Sequence, residues 1–126
     1  MFNLCICFDM INFELSEFDS PDDPGSGKFM QDPFLQMIDD ARGIAGIPFK
    51  INSGFRSKSH NEYVGGKKES SHLFGQAADI HCTGSRERFI IVDALIKAGF
   101  NRIGVAKTFI HVDNDPAKFD RVTWVY

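Results

Sequence analysis

Three of the four histidines in this chain, His72, His81 and His111, stand in or beside short apolar runs, and two of them have an aspartate two residues away. The pairs are Asp79 with His81 and His111 with Asp113. Side chains on a strand alternate with period two, so the members of each pair point to one face. Imidazole is the commonest metal ligand in proteins, and two such pairs on neighbouring strands, with His72 close by, could converge on one ion. A strand histidine near a carboxylate is also a common hydrogen-bonded pair with no metal at all. Alternation by itself leaves both readings open.

The cysteines offer no competing metal site. Cys5, Cys7 and Cys82 are odd in number and contain no C-x-x-C pair, so neither a disulfide framework nor a thiolate zinc site is expected. Cys82 reads as a small buried strand residue. Fourteen basic residues against 17 acidic ones give a net charge of −3 with no basic block, which argues against nucleic acid as a partner. At 126 residues, 43% hydrophobic and 25% charged, the chain is expected to be one globular domain. Its apolar start, MFNLCICFDM, lacks a basic n-region and a small-residue cleavage site and is too short to span a bilayer. No membrane span and no signal peptide are expected, as for a cytoplasmic or phage-encoded product. Residues 1–11 read as an N-terminal extension, either upstream of the native start or forming a short edge strand, and residues 12–126 as the domain.

The elements that must position the histidines follow from pattern. Residues 19–28 hold two Pro, two Gly and three Asp and predict an exposed loop. Asp32-Pro33 reads as an N-cap followed by proline at the first helical position, and Phe34, Met37, Ile38, Ala41 and Ala45 recur at helical spacing up to Gly46. Alternation over residues 49–54 predicts a strand leading into a long polar segment, 56–71, rich in groups that bind ligands. A strand over 77–82 follows. Ser85 is placed to cap a helix whose Phe89, Val92, Leu95 and Ile96 face the core until Gly99. Strands over 102–106, 109–113 and 121–126 complete an α+β fold, a small mostly antiparallel sheet packed with two or three helices.

Taken as phrases, the polar segment and the strands become more specific. Ser53-Gly54-Phe55-Arg56-Ser57, Asn61, Val64-Gly65-Gly66, Ser70-x-His72-x-x-Gly75-x-Ala77-Ala78-Asp79-Ile80 and Phe109-Ile110-His111-Val112-Asp113 occur in that order. Together they resemble the zinc D-Ala-D-Ala metallopeptidase family, and more narrowly its small D-Ala-D-Ala carboxypeptidase subtype, whose fold is shared with the hedgehog signalling domain. The resemblance runs from about Asn12 to the closing Trp124 and Tyr126.

It implies one zinc ion per chain, held by His72, Asp79 and His111 with the fourth position left to water, an open arrangement that suits catalysis. It implies that Arg56 grips a substrate carbonyl or carboxylate, or stabilises the oxyanion. Ser70 and Asn61 would order the loop, the ligands or the substrate. The implied activity is hydrolysis of peptide bonds in bacterial cell-wall peptidoglycan, as carboxypeptidase or endopeptidase, by attack of zinc-bound water. That is the work of a compact, endolysin-like enzyme.

One departure stands out. Many members of the wider family carry an acid three residues before the last zinc histidine or a histidine two before it, where this chain has Thr108 and Phe109. Asp113 is the remaining strand carboxylate for the general base, unless it orients an imidazole; Glu62 and Glu69 are in reserve. The missing acid supports an alternative, a catalytically weak or inactive zinc-containing binding or structural module. His81 is a site-wall residue or alternative ligand, and His60 a loop residue.

Overall fold

A computed structural model describes residues 9–126; Cys5, Cys7 and the expected edge strand at the extreme N-terminus lie outside the described residues. Five strands form a single sheet: β1 (Ile51–Ser53), β2 (Ala77–His81), β3 (Arg102–Val105), β4 (Phe109–Asp113) and β5 (Val122–Val125), in the order β1-β2-β4-β3-β5. Every pairing is antiparallel except β3 with β5. With helices α1 (Asp32–Ala45), α2 (Lys58–Tyr63) and α3 (Ser85–Lys97), this is the α+β architecture expected from the pattern.

Alternation divides the sheet into two unlike faces. Ala78, Ile80, Ile103, Ile110 and Val112 point to one side and are 3% exposed or less. There they meet Phe34, Ile38 and Ala41 of α1 and Ile91, Ala94 and Leu95 of α3. Burying each larger side chain stabilises the fold by roughly 1.5–3 kcal/mol. The opposite face carries Asp79, His111 and Asp113, so the apolar face fixes by register where the polar residues stand.

Several local expectations change. Asp32 is the first helical residue of α1 rather than its cap; Gln31 occupies the cap position without a side-chain bond, and Asp32 instead offers its charge to the helix N-terminus. Gly84, not Ser85, precedes α3. The buried stripe of α3 is also rotated, leaving Phe89 69% and Ile96 58% exposed, because Ile91 and Ala94 supply the face that fits against α1. Residues 19–28 are less open than their composition suggests. Asp19 accepts bonds from the N–H groups of Gly25 and Gly27, the Ser26 hydroxyl accepts one from Ser20 N–H, and both serines are buried. The polar segment after β1 holds α2, capped by the Ser57 hydroxyl, and a short 3-10 turn, Ser71–Phe74.

Candidate metal centre

One rung crosses all five strands. Ser53 pairs with Asp79, Asp79 with His111, His111 with Gly104, and Gly104 with Trp124. Antiparallel register therefore sets Asp79 and His111 side by side. Gly104 is required next to them: a Cβ there would lie 2.5 Å from the Trp124 Nε1, so the indole rests on bare backbone, its ring centroid 5.6 Å from that of His111.

His72 reaches the rung from outside the sheet, on the 3-10 turn. Ser70 caps that turn by accepting from His72 N–H at 3.2 Å, and the His72 carbonyl accepts from Arg56 N–H. The ring is 3% exposed. Its Nδ1 lies 2.7 Å from the Gly54 carbonyl oxygen, an acceptor only, so Nδ1 carries the proton and the Nε2 lone pair is free. Gly54 can present that carbonyl because its backbone crosses Phe18 so closely that a Cβ would meet Phe18 Cα at 2.7 Å.

The His72 Nε2 faces Asp79 Oδ1 at 3.4 Å, and His111 Nδ1 faces the same oxygen at 2.9 Å. One donor atom from each of His72, Asp79 and His111 lies within 4.8 Å of the others. In a four-coordinate site with bonds of about 2.0–2.1 Å, donors are separated by roughly 3.3 Å. The separations here bracket that value, and two imidazoles with a carboxylate are a donor set zinc takes in catalytic sites. The residues present fit the ion.

Charge at the cluster is balanced by contact. Burial pushes Asp79 upward, but the His111 and His72 rings beside it outweigh burial and hold the carboxyl well below its usual range. Burial pulls His111 downward, and the carboxylates of Asp113 and Asp79 more than reverse this, so the imidazole is raised.

Arg56 is built into the same frame. Its Nε donates to Ser53 Oγ at 3.1 Å, one terminal nitrogen to Asn61 Oδ1 at 3.2 Å and the other to Asp79 Oδ2 at 3.5 Å. Asn61, buried, also donates to the Lys67 carbonyl and so ties down the loop beyond α2. Of the five guanidinium N–H groups, three are engaged and two remain at a cleft of about 700 Å³ that the cluster shares with Ser70, Trp124 and Tyr126. Burial raises the Tyr126 hydroxyl, against a hydrogen bond donated by the Trp124 indole N–H, so it stays protonated.

Asp113 does not stand where a proton acceptor would. Its Oδ2 binds His111 Nε2 at 2.8 Å, on the edge of the ring turned away from Asp79. Its Oδ1 accepts from Arg102 Nε at 2.6 Å and from Asp115 N–H at 3.2 Å. Both oxygens are committed and the residue is 1% exposed. Burial raises its pKa, but the bonds to His111 and Arg102 prevail and keep it lowered. The expectation of a general base is corrected to that of a group holding His111 from behind. Strand alternation correctly put Asp113 on the same face as His111, yet the carboxylate meets the far ring nitrogen while Arg102 claims its other oxygen.

The reserves do not replace it. Glu62 is exposed on α2, Glu69 lines a different groove, and Asp79 and Asp113 are the carboxylates that line the cleft among the described residues. His81 is exposed and pairs with Phe109 in the sheet, away from the cluster, and His60 stacks on Tyr63. Arg102 and Lys118 belong to the site without having been marked by any motif, and Ser53, which opens the first motif, had been given no role. Arg102 also lies over Trp124, 5.2 Å from the ring centroid, and the alternation of residues 121–126 was the one hint of that contact.

Comparison with known proteins agrees with the geometry. Over 56 residues the chain is 39% identical to the zinc D-Ala-D-Ala carboxypeptidase of Streptomyces albus G, a stretch that covers 44% of this chain and 22% of that relative. Zinc is thus both the metal in the relative's name and the one this donor set fits. The family model for peptidase M15 matches residues 12–113, a span that contains β1 to β4 and the whole His–Asp–His cluster. The chain belongs to the peptidase M15 family, the zinc D-Ala-D-Ala metallopeptidases.

Proposed function

We propose that this protein is a zinc peptidase that hydrolyses peptide bonds in bacterial cell-wall peptides, with His72, Asp79 and His111 as the metal ligands. The observation that carries the reading is the convergence of two imidazole nitrogens with one Asp79 oxygen beside an arginine with unspent N–H groups. When bound, zinc supplies a Lewis acid that polarises a carbonyl and lowers the pKa of water from about 15.7 toward about 7.

The chain's own residues do the rest. Arg56, fixed on three sides, offers its two remaining N–H groups, held in one guanidinium plane, to a substrate carbonyl or carboxylate, a geometry a lysine lacks. Donors held in place before the reaction stabilise developing negative charge without reorganising. Asp113 holds the His111 ring with Nδ1 toward Asp79, and the Gly54 carbonyl does the same for His72, which keeps both lone pairs aimed at one point. Tyr126 stays protonated and is available to donate a hydrogen bond in the cleft.

Both carboxylates lining the cleft are committed, and this favours a second reading, a zinc-binding module with little or no turnover. One experiment separates the two. Purified protein is incubated with defined muropeptides, with and without a chelator, and the products are identified by mass. Chelator-sensitive cleavage is expected, with Arg56→Lys retaining zinc but losing on the order of 10²-fold or more in kcat/KM. Intact muropeptides in the zinc-loaded sample would leave the binding module.

A further inference from the structure

The charge of the cleft is opposite in sign to that of the chain. The protein carries −3 overall, whereas the cleft is lined by Arg56, Lys67, Arg102 and Lys118 against Asp79 and Asp113. Asp79 is paired with Arg56 at 3.5 Å and Asp113 with Arg102 at 2.6 Å. Beyond these two pairs the lining carries two lysines, of which Lys118 has the buried Asp115 behind it at 3.6 Å. Lys67 is exposed, and its charge contributes mainly to attraction at a distance.

Lys118 is held differently. Its Nζ donates to Ser71 Oγ at 2.7 Å and lies 3.6 Å from Asp115 Oδ2. Ser71, next to His72, is 2% exposed and Asp115 5% exposed, so both anchors belong to the rigid body of the protein. An ammonium has three N–H groups; two face these anchors, and the third has no protein acceptor among the described residues. The side chain is also shared by two concavities. Besides the metal cleft it borders a groove of about 840 Å³ lined by Phe29, Phe55, Leu73 and Phe74. Lys118 is the one residue common to the two linings, and the groove's own carboxylates are Glu69 and Asp115.

We infer that Lys118 is a specificity-determining residue that binds a carboxylate of the substrate where the metal cleft meets the phenylalanine-lined groove. The inference rests on the peptidase reading for the identity of the ligand as a peptide. A carboxylate there completes the third N–H bond of a cation that is already oriented, and a carboxamide at the same point does not return the charge.

The test uses zinc-loaded full-length protein and a set of stem pentapeptides in which each carboxyl is converted to a carboxamide, one at a time. Wild type should lose on the order of tenfold in kcat/KM for one member of the set, through KM, as expected for a charged hydrogen bond. Lys118→Gln should show that loss with the free acid and be indifferent to that amidation. Lys118→Arg should restore the preference, and Lys118→Met provides a second neutral variant should Gln disturb the Ser71 contact. Zinc content and Tm of each variant are measured alongside. An equal loss on every peptide in the neutral variants, or a wild type indifferent to every amidation, would overturn the assignment.

Binding is read separately through Trp124, the single tryptophan, which lines the cleft. Fluorescence titration that shows Lys118-dependent binding of uncut free acid would sink the peptidase reading and support the role of Lys118. Absence of binding by any peptide counts against Lys118.

Discussion

The two histidines that face Asp79 are held by different parts of the molecule and by opposite means. His111 sits in the middle of a five-stranded sheet, its position set by register and its ring held by a carboxylate that is itself pinned by Arg102. His72 sits on a four-residue 3-10 turn outside the sheet, its ring held by the neutral carbonyl of Gly54 and its backbone by the Ser70 cap. The sheet side invests charge, and the loop side invests backbone hydrogen bonds. A strand can use a side chain from two residues along because both point to one face. A turn has no such neighbour and must borrow a carbonyl from a segment packed against it.

If both sides serve one metal, removing either imidazole should have the same large effect. His72→Ala and His111→Ala are each expected to abolish tight zinc binding, since the remaining two ligands do not compete with water for the ion. Metal analysis after dialysis against a mild chelator measures this. Stoichiometric zinc retained by one variant but not the other would break the symmetry and place the site on one side only.

The next effect separates the sides. Asp113→Asn should fold and still bind zinc, with affinity lower by about 10- to 100-fold, the usual cost of losing a partner behind a metal-bound imidazole. It should also change the pH profile. Zinc requires His111 without its proton, and in wild type the raised imidazole holds that proton above the ordinary histidine range. Affinity should therefore keep climbing beyond about pH 6.5 before it levels off. With Asp113 neutralised, burial, which pulls His111 down, is opposed by Asp79 alone, and the break should move to lower pH. A zinc titration from pH 5 to 9 on both proteins decides it. An unshifted break would reduce Asp113 to a packing residue.

The smallest effect belongs to the loop. Ser70→Ala removes the cap of the 3-10 turn and should cost about 0.5–2 kcal/mol in stability, read as a lower denaturation midpoint. The zinc pH profile should stay in place, because no charge touching His72 is altered. A shifted profile would mean that the loop side, too, holds its histidine through charge.

Much of this protein was legible without coordinates. Apolar alternation in residues 77–81 and 109–113 gives two strands and the face on which Asp79 and His111 stand, because strand periodicity is a local property. The motif order from Ser53 to Asp113 points to the family and names the three ligand candidates. The charged cleft is another matter. Which strand lies beside which, and hence the rung from Ser53 to Trp124, depends on pairings between residues up to 36 positions apart, and short strands do not encode their partners. Asp113 shows the limit well: alternation put it on the correct face, but whether its carboxylate meets the metal side or the back of His111 depends on Arg102 arriving from β3 to claim the other oxygen. Composition likewise made residues 19–28 an exposed loop, while Ser20 and Ser26 are buried by bonds that form once the chain folds back on itself. Residue type and local period determined the sheet face on which Asp79, His111 and Asp113 stand. Long-range pairing alone decided which of them are spent on one another and which, like two N–H groups of Arg56 and one of Lys118, are left for a substrate.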